Sequence, residues 1–186
     1  MKSFEQQIVP LKNGETALLR LPQKEDAAEL LACYKAMAGE TEFLLSSPED
    51  IRYTVEGEER FIESALENEG LLLLMCEMDG HIVGDCEIRR MPAAKNRHRA
   101  NIGISLRKAV WGQGIGTAMF KALIAQAEAW GLTQIELDFI EGNARARALY
   151  EKMGFRIVGY TPNAIRQRDG RLLHEYRMVR KMEAEK

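Results

Sequence analysis

Val110-Trp111-Gly112-Gln113-Gly114-Ile115-Gly116-Thr117-Ala118 is a glycine-rich turn that runs straight into a helical pattern. Ile115, Ala118, Met119, Ala122 and Leu123 recur at the spacing of one helix face. A turn of this kind presents free backbone N–H groups beside the positive end of a helix dipole, which makes an anion site with phosphate as the usual guest. Two rival readings fail on the residues. A P-loop needs Gly-Lys-Ser/Thr at its end, and here Gly116 is followed by Thr117 and Ala118. A dinucleotide fingerprint needs a third glycine where this chain has Met119. A helix start with a flexible entry and no ligand remains open on this segment alone.

Downstream residues decide between them. A strand pattern, Gln134-Ile135-Glu136-Leu137-Asp138-Phe139, follows the helix. Then comes Asn143-Ala144-Arg145-Ala146-Arg147-Ala148-Leu149-Tyr150-Glu151-Lys152-Met153-Gly154-Phe155. With these two segments the chain resembles the GNAT superfamily of acyl-CoA N-acyltransferases. The family's pyrophosphate loop, Gln/Arg-x-x-Gly-x-Gly/Ala, is matched by Trp111-x-x-Gly114-x-Gly116. Its second signature, an asparagine and a short helix ending in Leu-Tyr-x-x-x-Gly-Phe, is matched from Asn143 to Phe155. The resemblance is clearest from about Leu71 to Met182.

The resemblance implies a mixed α/β fold with a mostly antiparallel, twisted central sheet, splayed near the cofactor loop and flanked by about four helices. One domain is expected over residues 1–186. The implied reaction moves an acetyl group from acetyl-CoA directly to an amine, with no covalent acyl-enzyme. The implied cofactor contacts are the backbone of Trp111, Gly112, Gln113, Gly114, Ile115, Gly116 and Thr117 on the pyrophosphate. Ile104, Ser105 and Leu106 would run beside the pantetheine arm, and Asn143 would bond it. Tyr150 stands at the position of the tyrosine that protonates the leaving thiolate. Trp111 departs from the usual Gln or Arg, which matters little where the amide rather than the side chain binds.

The proton acceptor is less plain. Many relatives carry a glutamate where this chain has Asn101, and asparagine takes no proton. Asn101 is expected to orient the amine or a water. Glu87, in Gly84-Asp85-Cys86-Glu87-Ile88, is the nearest replacement, and Asp85 shares its face by the two-residue strand period. Glu175 is a second candidate for the amine-binding cleft. Water as the only base stays open.

The acceptor is expected to be a small-molecule amine: an amino acid, a polyamine or an amine-bearing drug. A protein N-terminus or lysine is the alternative within the class. A catalytically silent acyl-CoA sensor is the alternative outside it. A homodimer is compatible with the apolar content.

Composition narrows the class further. A formal net charge of -2 gives no support for a nucleic-acid partner. Arg89, Arg90, Lys95, Arg97, His98 and Arg99 read as a solvated loop between strands. Cys33, Cys76 and Cys86 are odd in number and lack metal spacing, so buried thiols are expected rather than a disulfide. The histidines show no ligand spacing, and no metal is expected. No leader precedes the first strand and no apolar run is long enough to span a membrane, so a cytoplasmic location is expected.

Patterning places the elements. Strands are expected over 7–11 and 16–21, around an Asn13-Gly14 turn. Helices are expected over 24–38, stopped by Gly39, and over 58–68. Strands follow over 71–78, 81–91 and 99–106, then a helix over 114–130, a strand over 133–140 and a helix over 143–152. Residues 155–160 and 172–181 would close the sheet. Phe43, Leu44 and Leu45, in the irregular 40–54 segment, read as folded over the core.

Overall fold

The structure, a computed structural model, describes residues 4–182. The chain runs β1 (Gln7–Pro10), β2 (Thr16–Arg20), α1 (Ala27–Glu40), α2 (Val55–Glu67), β3 (Leu71–Met78), β4 (His81–Arg90), β5 (Arg99–Leu106), α3 (Ile115–Ala129), β6 (Gln134–Ile140), α4 (Ala144–Lys152), β7 (Arg156–Arg166) and β8 (Leu172–Lys181). The eight strands make one sheet in the order β1-β2-β3-β4-β5-β6-β8-β7. Only β5 and β6 are parallel; the other neighbours are antiparallel hairpins or returns. The mixed, mostly antiparallel sheet with four helices is the expected fold class.

Strand alternation sorts the core into two layers. Leu71, Leu73 and Met75 pack under α1 and α2, against Leu30, Cys33, Met37, Ile62 and Ala65. Leu72, Leu74 and Cys76 face the other way, with Cys86, Ile88, Met119, Phe120 and Leu123. β3 is therefore covered on both sides, which is why it reads as an unbroken apolar run rather than an alternating one. Asp85 and Glu87 alternate with Cys86 and Ile88, so they stand on the α1 and α2 side of the sheet.

Several boundaries differ from the sequence reading, each for a physical reason. Gly39 does not stop α1, which continues to Glu40 because burial of Met37 and Ala38 holds its last turn. The Glu40 carboxylate accepts from the Lys108 N–H at 2.7 Å and from Arg107 Nε at 2.8 Å. This fastens the helix end to the segment after β5. The second helix starts earlier than expected because Thr54 caps it, its Oγ1 accepting from the Gly57 N–H at 3.1 Å. β7 runs past Pro162 to Arg166, because the register shifts between Thr161 and Ile165 and leaves the proline out of the ladder.

In the β1–β2 turn only Gly14 takes positive φ, at 88°. The basic cluster is less solvated than expected. Arg89 bonds Glu87, Arg90 donates to the Trp130 carbonyl at 2.6 Å and lies over its ring, and Arg99 pairs with Glu136. Cys33, Cys76 and Cys86 are free and buried. No described helix is long and apolar enough to cross a membrane.

Candidate active site

The sheet itself opens the site. β5 and β6 pair only over Arg99–Asn101 and Gln134–Glu136. From Ile102 and Leu137 onward they no longer pair, and both line a cleft of about 990 Å3. Main-chain donors and acceptors along the cleft edge of β5 are left without a neighbouring strand, as on any open sheet edge.

Two close contacts flank the wedge. At its closed end Arg99 grips the Glu136 carboxylate with both Nε (2.6 Å) and Nη2 (2.9 Å). Glu136 is only 2% exposed, so this two-pronged pairing is what makes its burial tolerable. At the open end β5 leans onto β4 at Gly84. A Cβ there would lie 2.3 Å from the Ser105 carbonyl oxygen, a separation only glycine permits.

The glycine turn forms one wall. Trp111 Nε1 donates to the Leu106 carbonyl at 2.8 Å, tying the turn to the end of β5. Gly112 and Gly114 adopt positive φ (81° and 104°), and Gly114 is the residue just before α3. The N–H groups of Gly112, Gln113, Gly114, Ile115 and Gly116 meet no acceptor among the described residues. Five free amides at the start of a fifteen-residue helix are an anion cradle. Its cations are Lys12, from the β1–β2 turn, and Arg145 and Lys152, from α4; all three line the cleft. Lys12 is brought there by its own N–H, which donates to the Gln113 carbonyl at 3.3 Å. Arg145 lies over the Trp111 ring. Gly116 has a different reason to lack a side chain, since its Cβ would sit 2.9 Å from Leu149 Cδ2 of α4.

Tyr150, on α4, also lines the cleft. Its ring packs against Phe120, Phe139 and Phe155, and the residue is buried. Burial pushes its hydroxyl up to about 12, so it keeps its proton throughout the physiological range. No described protein group bonds that hydroxyl, and the residue lines the cleft. Asn143 caps α4, its Oδ1 accepting from the Ala146 N–H at 3.2 Å. Capping occupies that oxygen and leaves the amide NH2 for another acceptor.

Opposite lie two carboxylates. Glu87 lines the cleft and accepts from Arg89 Nη2 at 3.1 Å. Asp85, next along the same face, accepts from Ser105 Oγ at 2.6 Å. Burial raises Asp85 to about 6, and the charges of Glu87 and Glu58 push the same way, against the Ser105 bond. A carboxyl that titrates near neutrality in a cleft is suited to exchanging protons.

The structure thus gathers Tyr150, Glu87, Asn143, Ile104, Ser105, Leu106 and most of the glycine turn around one cavity. Gln113 contributes its carbonyl to Lys12 but is not among the lining residues. Asn101 is exposed, opposite Arg89 on β4, and Glu175 sits opposite Ile140 on β6; neither lines the cleft. Phe43, Leu44 and Leu45 line the cleft mouth, against the expectation of core packing, and Leu45 is 73% exposed. Only Leu44 also packs against buried residues.

Asp85 is the residue that sequence reasoning passed over, although its alternation with Glu87 was visible. Lys12 and Arg145 were passed over too, because nothing local marks them. No cysteine lines the cleft. Burial pushes the Cys33 and Cys76 thiols up to about 12 and raises the Cys86 thiol as well, so none is a ready nucleophile.

Comparison with known proteins agrees with this geometry. A family model described as an acetyltransferase (GNAT) domain matches residues 17–156. The chain is 29% identical over 119 residues to the L-amino acid N-acetyltransferase AaaT of Escherichia coli (strain K12), a match spanning 63% of this chain and 73% of that protein. Among solved structures it is similar to an acetyltransferase of the GNAT family from Streptococcus pneumoniae. That likeness has 27% identity and a TM-score of 0.84, over 89% of this chain and 99% of the other. Its fold is also similar to that of yncA from Salmonella typhimurium, solved with its cofactor acetyl-CoA. Here identity is 19% and the TM-score 0.78, over 90% of this chain and 94% of the other.

Proposed function

We propose that this chain, which belongs to the GNAT acetyltransferase family, transfers an acetyl group from acetyl-CoA to a primary amine of a small molecule. The carrying observation is the wedge between β5 and β6, a single cavity lined by the glycine turn with its five free amides and by Tyr150, Asp85 and Glu87. In this reading the cradle from Gly112 to Gly116 takes the pyrophosphate of CoA. The pantetheine arm runs along the unpaired edge of β5, where an extended amide-bearing chain finds main-chain partners. The neighbour solved with acetyl-CoA supports the cofactor, and the amino-acid acetyltransferase supports a small-molecule acceptor.

The chemistry follows from the two sides of the cleft. The amine enters as an ammonium and gives up a proton to Asp85 or Glu87. The freed lone pair attacks the thioester carbonyl; the C–N bond forms and the C–S bond breaks. The nitrogen sheds its second proton to solvent, and the sulfur leaves with a proton from Tyr150 as CoA thiol, the phenol being restored from water. Tyr150 at about 12 is a weaker acid than a free phenol. A thiolate forming against the same apolar wall has its own proton affinity raised by the same desolvation, so donor and acceptor stay matched. Direct transfer needs no protein nucleophile, in keeping with the buried cysteines. The acetyltransferase domain occupies the whole chain in this reading.

The test is a thiol-release assay with acetyl-CoA and a panel of amines, alongside peptides bearing a free N-terminus or a lysine. Thiol release that depends on a small amine, with the acetylated amine seen by mass spectrometry, is the expected result. Turnover of peptides alone moves the assignment to protein acetylation. Binding of acetyl-CoA without turnover of any acceptor contradicts the enzyme reading.

A further inference from the structure

The charges lining the cleft are sorted by end. Lys12, whose N–H bonds the Gln113 carbonyl, and Arg145, which lies over the Trp111 ring, stand at the glycine turn, and Lys152 lines the cleft from the same helix as Arg145. Asp85, Glu87 and Asp138 line it from the sheet face that α1 and α2 cover. Asp138 is already neutralised, held by Arg177 through Nε and Nη2 at 2.9 Å each. Asp85 is met by a hydroxyl rather than a cation, and Glu58 of α2 adds a further negative charge near it. Arg89 is the nearest cation; it bonds Glu87 from outside the cleft lining and is itself half exposed. Arg107 is spent on Glu40. The remaining walls of this end are apolar or hydroxyl-bearing: Tyr34, Met37, Thr41, Phe43, Leu44 and Leu45.

We infer that the acceptor is a primary amine without a carboxylate beside it, carried on an apolar stem. Its ammonium is received between Asp85 and Glu87, and its stem lies along Phe43, Leu44 and Leu45. An α-amino acid brings a carboxylate toward Asp85, which meets no cation, and Glu87, whose cation partner is the half-exposed Arg89, and no cation among the described residues lines this end to receive it. Like charges at close range in a partly dry cleft repel strongly, and nothing on these walls offsets that. This distinguishes the site from what the name of the amino-acid relative suggests. It rests on the acetyl-transfer reading and refines it.

The experiment compares pairs that differ only in the carboxylate: phenethylamine with phenylalanine, and cadaverine with lysine. Phenylalanine methyl ester separates charge from bulk. Binding is measured by calorimetry on the wild-type protein saturated with CoA, so turnover is not required. The amine and the ester are expected to bind at least about tenfold more tightly than the amino acid. Asp85→Asn together with Glu87→Gln is expected to shrink that gap to about threefold or less, because the repulsion goes with the charges. An amino acid that binds as well as or better than its amine overturns the inference, as does the absence of binding by both. An ester that binds as poorly as the acid also overturns it, since bulk would then be the cause. Failure of CoA to bind in the loading titration overturns the transfer reading itself, and is read separately.

Discussion

Asp85 is the side chain in this cleft that the fold tolerates least in its charged form. Burial lifts it from 3.8 to about 6, so its ionisation opposes folding. A raised carboxyl contributes no penalty below its unfolded value; the penalty grows through the window from about pH 4 to 6 and is complete above it. Asp85→Asn is therefore expected to be more stable than the wild type at pH 7.5, by about 3 kcal/mol, and nearly equal to it near pH 4. Chemical denaturation at the two pH values measures this. An advantage that is the same at both contradicts the ionisation account. The same substitution is expected to remove the acidic limb near pH 6 from kcat/KM.

Tyr150 makes the opposite case. Its ring packs against Phe120, Phe139 and Phe155 and its hydroxyl has no partner among the described residues, so Tyr150→Phe is expected to leave stability nearly unchanged. It should lower kcat about ten- to a thousand-fold with little change in KM. An unchanged kcat removes the proton-donor role.

At the scale of elements, the cleft depends on β5 leaving β6, and that depends on Gly84. In Gly84→Ala the new methyl meets the Ser105 carbonyl, backbone that cannot rotate aside. The expected cost is about 1–3 kcal/mol, which in a chain of this size lowers Tm by several degrees. Because β5 must move toward β6 to relieve the clash, KM for acetyl-CoA is expected to rise more than kcat falls. A thermal scan with steady-state kinetics checks both; a variant with wild-type KM shows that the lean at Gly84 does not set the cleft.

How much was legible in the sequence divides along the same elements. β3, β5 and β8 were readable to the residue, because each carries an apolar or alternating run with turn residues at its ends. The glycine turn was readable because its function lives in the backbone, and backbone demands leave glycines in the sequence. Gly39 misled for the complementary reason: a glycine inside a helix looks like a stop unless the packing of Met37 and Ala38 is known. The sequence pattern ends this strand at residue 160, yet it runs on past Pro162 because the bulge from Thr161 to Ile165 absorbs the proline. Asn101 and Glu175 were placed in the site by the resemblance to related enzymes; the cleft begins one residue beyond Asn101 and does not reach Glu175.

At the scale of the whole molecule, the acceptor end is made of parts remote in sequence. Residues 41–50 are fastened to the tip of the β7–β8 hairpin by Arg171 on Glu42, Arg168 on Glu49, and Gln167 Nε2 donating to the Glu42 carbonyl. No motif spans such a construction, so neither the Phe43–Leu45 wall nor its hairpin support could be read from either segment alone. The cofactor end needs one turn and one helix and was plain; the acceptor end needs the folded chain. The central claim concerns what happens where they meet: acetyl passes straight from thioester to amine. Rapid mixing of the protein with stoichiometric acetyl-CoA, with and without the amine, followed by intact-protein mass spectrometry, tests it most directly. The expected result is an unmodified protein at every time, with CoA thiol and acetylated amine appearing together and only when the amine is present. A protein that gains one acetyl group from acetyl-CoA alone, and passes it to amine added afterwards, would contradict the account.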